Sequence, residues 1–198
     1  SGAGEALMGV FLDYENYAKG PRGGNCYDLS YDDLIMGMFA KAKGIELPDL
    51  TLAGRARWLE EQKLDEEFSE FQINHWRERC RALREAVDEG NPIFQFCIYP
   101  APGTLFMTEA THPEWATEQA PLILADACTY GRSGGWLQHA EALEGNRKRL
   151  SERQEFALDK GGPFMYSGGN DPVVRGADPE FCGKNAVLIS DITDGYWI

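Results

Sequence analysis

The chain has 198 residues, of which 43% are hydrophobic, 12% aromatic and 26% charged; this composition sets aside disorder, collagen-like repeats and coiled coils and suits one ordinary folded domain. Nineteen Lys and Arg against 32 Asp and Glu give a net charge of -13, a field that repels phosphate backbones and disfavours nucleic acid as a partner. No apolar run approaches the roughly 20 residues of a bilayer span and no charged segment with an apolar core opens the chain, so no membrane partner is expected and the chain reads as soluble, its compartment open.

Residues 1–7, beginning Ser1-Gly2-Ala3-Gly4, read as a flexible linker or tag remnant, and residues 8–198 as a single α/β domain. Met8 to Leu12 is a short apolar run ending in Asp13-Tyr14-Glu15-Asn16-Tyr17, the pattern of a strand buried on both faces. Ser30 followed by Asp33 resembles a capping box, and Leu34, Ile35, Met38, Phe39 and Ala42 keep helical spacing, which predicts a helix over 30–43. From Trp58 to Val87 apolar residues recur at steps of three to five, the pattern of one long amphipathic helix stopped by Gly90-Asn91-Pro92. Ile93 to Tyr99 is a second strand. Residues 100–120 read as loop with one helical turn near Pro113-Glu114-Trp115. Pro121 to Ala125 is a third strand ending at Asp126, 137–159 a helix stopped by Gly161-Gly162, Pro163 to Tyr166 a fourth strand breaking at Gly168-Gly169, and Asn185 to Ser190 a fifth, ending in Asp191 and Asp194.

Strands with continuous apolar runs, alternating with helices or long loops, predict an α/β fold with a parallel sheet. The expected architecture is TIM-barrel-like and incomplete, since eight rungs typically take about 250 residues; the alternative is a doubly wound five-stranded sheet. The closing pair Trp197-Ile198 suits a partly represented barrel.

Ligands bind at the carboxyl edge of parallel sheets, and there the expected strands release acids: Asp13 and Glu15, Asp126, Asp171, and Asp191 with Asp194. Asp and Asn also favour turns and caps at strand ends, but Asp13 and Glu15, two apart, point to one side of their strand. Tyr14, Tyr17, Tyr130, Trp136, Tyr196 and Trp197 accompany the acids, and flat apolar faces beside carboxylates suit sugar rings; aromatics near strand ends are equally ordinary core.

Other chemistry has less to stand on. His75, His112 and His139 are too far apart for a local metal motif. Five cysteines (Cys26, Cys80, Cys97, Cys128, Cys182) show no C-x-x-C spacing and read as free thiols. Neither a nucleophile elbow nor a phosphate-binding glycine motif occurs, and the basic cluster Arg147, Lys148, Arg149 and Arg153 reads as a solvated helix face.

Taken together, Gly9 to Tyr17, the loop through Cys26-Tyr27-Asp28, the long helix and the strand Phe94 to Tyr99 resemble the later part of a glycoside-hydrolase-type (β/α)8 barrel, with Phe164 to Pro172 and Ala186 to Trp197 similar to its last two strands. In that family a strand ending in Asp-x-Glu puts acids into the sugar site and a late strand often delivers a Trp to its floor. The resemblance implies a carbohydrate substrate and glycosidic hydrolysis by paired carboxylates: one protonates the departing oxygen, another acts as nucleophile or activates water. Glu15 is then the acid/base, because a Glu near aromatic residues is readily raised in pKa; Asp13, Asp126 and Asp191 are the nucleophile or orienting candidates. Tyr14, Tyr17, Tyr130, Trp136, Asp194, Tyr196 and Trp197 contact substrate, and no cofactor or metal is required. A non-catalytic sugar-binding barrel is the alternative of another class. Phe11 to Asn16 is also similar to the opening strand of NYN-type (PIN-like) nucleases, in which Asp13, Asp191 and Asp194 would share a divalent ion.

Overall fold

A computed structural model describes residues 7–13, 29–99, 106–126, 140–170 and 178–197. The chain divides into two compact units, one of Ser1–Tyr17, Glu85–Gly103 and Trp115–Ile198, the other of Ala18–Arg84 and Thr104–Glu114.

The first unit holds a parallel sheet of β1 (Gly9–Asp13), β2 (Gln95–Tyr99), β3 (Leu122–Asp126), β4 (Phe164–Gly169) and β5 (Gly195–Trp197), lying side by side in chain order. The sheet is curled into a half-barrel, for rings from its two outermost strands, Phe11 and Trp197, meet at 5.1 Å between centroids. The expected α/β fold with parallel strands alternating with helices is therefore present.

Register sorts the side chains into two faces. Val10 pairs with Phe96 and Leu12 with Ile98, Ile98 pairs with Leu124, and Leu124 with Tyr166, so these residues share a face. Helices α5 (Ala140–Asp159) and α6 (Pro179–Ile192) pack on it, and Phe96, Ile98, Leu122, Leu124 and Tyr166 are at most 3% exposed there. Gly168 belongs to this face, where an added Cβ would stand 2.8 Å from Ile189 Cγ2 and 3.0 Å from Leu150 Cδ2; the glycine lets both helices approach the strand. The other face carries Phe11, Asp13, Cys97, Tyr99, Ile123, Met165, Ser167, Gly169 and Trp197.

Helices build the second unit: α1 (Asp33–Lys43), α2 (Leu52–Glu61), α3 (Asp65–Asp88) as far as Arg84, and α4 (Phe106–Trp115) as far as Glu114. Met36, Phe39, Leu59 and Phe68 form its core, with Trp58, Leu64 and Phe71 packed around them. Phe39 meets Phe68 edge-on at 5.1 Å, a preferred aromatic geometry.

Several local expectations are corrected. The helix cap is Asp32, whose Oδ1 accepts from Ile35 N at 3.0 Å, while Ser30 Oγ donates to Asp32 Oδ2; that hydroxyl, more than any other group, holds the Asp32 carboxyl below its usual range. The expected single long helix is two, because Lys63 adopts φ +57°. Leu64 N donates to Leu59 O and Lys63 N to Glu60 O, the paired bonds that end a helix in a Schellman turn. Gly44, at φ +67°, ends α1 in the same way. The 100–120 segment contains the ten-residue α4. The strand expected at Asn185 to Ser190 belongs to α6, whose Phe181, Cys182, Asn185, Leu188 and Ile189 are buried on one side; the four consecutive apolar residues Ala186 to Ile189 resemble a strand when the helical partners three and four positions back are overlooked. The fifth strand is Gly195–Trp197. Strand β1, expected to be buried on both faces, is an edge strand with Val10 37% and Phe11 41% exposed.

Candidate functional site

The inner face of the half-barrel gathers three aromatic rings. Phe11 and Tyr99 lie 6.2 Å apart and nearly parallel, and Trp197 reaches both, at 5.1 Å from Phe11 and 5.0 Å from Tyr99. They converge because odd positions of β1 and β2 share a face, while the curl brings β5 toward them from the opposite edge. Asp13, two residues beyond Phe11 and in register with Tyr99, stands exposed on the same face at the carboxyl end of β1.

The other acids go elsewhere. Asp126 ends β3 on the face that carries the helices: it accepts from Tyr166 Oη at 3.2 Å and lies 3.5 Å from Arg153 of α5. Asp191 lies exposed near the end of α6. Asp194 precedes β5, where its Oδ2 accepts from Tyr166 N at 2.8 Å and Gln154 Nε2 at 3.1 Å, and its own N–H donates to Tyr166 O; it stitches the amino end of β5 to β4. Asp13 and the pair Asp191 and Asp194 thus lie at opposite ends of a parallel sheet, so these three do not form the shared ion site of a nuclease. Among the described residues no group of three His, Cys, Asp or Glu is placed to hold a metal ion. Tyr196 and Trp197, expected as one platform, alternate across β5: Trp197 is inward and Tyr196 is 48% exposed on the other side. Tyr14, Glu15, Tyr17, Tyr130, Trp136 and Asp171 lie outside the described residues.

Sequence reasoning passed over Phe11 and Tyr99 as ring partners of Trp197. The available signal was strand alternation, which puts Phe11 on the side of Asp13. Cys97, the register partner of Phe11, has its thiol pushed up to about 12 by burial, so Cys97 is not a thiolate nucleophile at neutral pH. The basic cluster is only partly a solvated face: Arg147 and Lys148 pair with Glu144 and Glu152 on the surface, whereas Arg149 donates to buried Asn146 and Arg153 faces Asp126.

Aromatic rings with a carboxylate beside them can hold a ligand that presents C–H faces together with hydroxyl edges. Comparison with protein-family models, curated proteins and solved structures gave no match.

Proposed function

We propose that this is a carbohydrate-active protein whose inner face receives a sugar. One observation carries the reading: Phe11, Tyr99 and Trp197 meet on the concave side of a parallel half-barrel, with Asp13 on the same face at its carboxyl edge. In the hydrolytic form of the proposal Glu15 is the acid/base, and Asp13 is the nucleophile or the base that activates water. In the binding form the rings and Asp13 hold the sugar without bond cleavage. The engagement of Asp126 by Tyr166 and Arg153, and of Asp194 by Tyr166 and Gln154, favours this second form, since both acids already serve the protein itself.

A panel of chromogenic glycosides and soluble oligosaccharides tests both. Turnover that Glu15→Gln and Asp13→Asn each reduce at least ~100-fold, with folding intact, supports hydrolysis. Oligosaccharide binding without turnover, weakened in Trp197→Ala, supports the binding form. No binding and no turnover across the panel overturns the proposal.

A further inference from the structure

The carboxyl end of β4 carries Gly168 and Gly169, residues that hold an extended backbone weakly, and its partner β5 has only three residues. Behind this weak end runs a line of buried amides. Arg149 Nη1 donates to Asn146 Oδ1 at 3.0 Å, Asn146 Nδ2 to Asn185 Oδ1 at 2.9 Å, Asn185 Nδ2 to Asn170 Oδ1 at 3.2 Å, and Asn170 Nδ2 to the Cys182 carbonyl at 3.2 Å. Asn146 and Asn185 are 0% exposed and Asn170 6%. All four donors point the same way, so each bond polarises the next.

Buried amides destabilise unless every one is matched, and apolar side chains would fill the space between α5 and α6 without that requirement. What the amides add is directional: they fix Asn170 at the end of β4 to α6 twice, through Asn185 and the Cys182 carbonyl, while Asn146 of α5 holds Asn185 from behind. Asn170 N in turn donates to the Trp197 carbonyl at 2.9 Å. The anchored residue is bonded directly to the residue whose ring meets Phe11 and Tyr99.

We infer that Asn146, Asn185 and Asn170 are positioning residues for Trp197: they hold the carboxyl end of β4 so that the bond from Asn170 seats the Trp197 ring on the inner face. That the seated ring receives a sugar rests on the reading above; that the asparagines seat it does not.

The test observes the ring. The indole N–H resonance of Trp197 is identified by its loss in Trp197→Phe. Asn185→Leu cuts the line in its middle and substitutes none of the three ring residues; it is expected to shift and broaden that resonance while those of Trp58 and Trp76 stay. Asn185→Asp keeps the oxygen that accepts from Asn146 and loses the donor to Asn170. It is expected to shift the same resonance at neutral pH and to restore it as acid protonates the new carboxyl, a recovery that general damage to the fold does not produce. Folded variants whose Trp197 resonance is unmoved overturn the inference. Independently of any variant, the Asn170 amide of the unsubstituted protein is expected to exchange with deuterium as slowly as the amides of Leu124 and Tyr166, and exchange at the rate of an open chain end overturns it. Oligosaccharide titration separates the two claims: about tenfold weaker binding in Asn185→Leu supports both, whereas a moved resonance in a protein that binds no sugar supports the positioning role and removes the sugar.

Discussion

Glu114 illustrates how a single side chain acquires a role that its position in the sequence does not announce. Arg81 Nε and Nη2 donate to it at 2.9 Å each and Arg77 Nε at 3.2 Å, and these guanidinium bonds, Arg81 first, hold its carboxyl below the ordinary value despite the opposing effect of burial. A carboxyl depressed in the folded state adds stability above its unfolded pKa and loses it as pH falls through the folded one. The helical unit is therefore expected to weaken as pH drops below about 4.5, the ordinary glutamate value, and Glu114→Gln to flatten that acid limb; thermal melts from pH 7 to 3 check it. The Cys80 thiol is pushed up to about 11, by burial first and by Glu114 second. Cys80 and Cys97 are accordingly expected to resist alkylation at pH 7 in the native protein and to react on unfolding, as peptide mass mapping will show. At Gly168 the contacts are steric: Gly168→Ala is expected to lose about 1–3 kcal/mol in denaturant unfolding, because Ile189 and Leu150 must give way.

Among the elements, those whose apolar residues follow one period were legible: β1, β2 and β3 came within a residue or two of their observed ends, and α1 and α5 within three. The misreadings have separate physical causes. At Lys63 a non-glycine residue sits in the left-handed region, so the break between α2 and α3 has no glycine to announce it, whereas Gly44 marked the same turn plainly. Lys63→Gly is expected to stabilise the protein by about 1 kcal/mol, the cost of a left-handed side-chain-bearing residue, measurable as a raised denaturant midpoint. Pro113 disguised α4, and a run from Ala186 to Ile189 disguised the apolar side of α6. The second misreading changed the chemistry, since it displaced Asp191 and Asp194 from the carboxyl edge to the amino end of β5. Asp194→Ala is expected to cost about 1 kcal/mol of stability through lost bonds to Tyr166 and Gln154; unchanged stability would return Asp194 to the candidates for ligand contact. Of the site itself, Asp13 and Trp197 were readable from their places at strand ends. Phe11 and Tyr99 are not legible as ring partners of Trp197, because a partnership between the first strand and the last depends on curl, which no local pattern encodes.

At the scale of the whole molecule, a net charge of -13 bears on association and solubility, while the arrangement of strands bears on the order in which structure is acquired. No described helix is long and apolar enough to cross a membrane. Strands lie in the sheet in the order in which they occur in the chain, so a nascent chain adds each new strand beside the one just completed. The first junction is the exception: Asp13 pairs with Tyr99 across the helical segment, whereas Cys97 pairs with Ile123 and Ser167 with Gly195 over far shorter stretches. Closing the long loop carries the larger entropy cost. Strand β1 is thus the piece that must wait during synthesis, its apolar Val10 and Phe11 uncovered until β2 emerges, and the interval before that docking is when the young chain is most open to capture by chaperones.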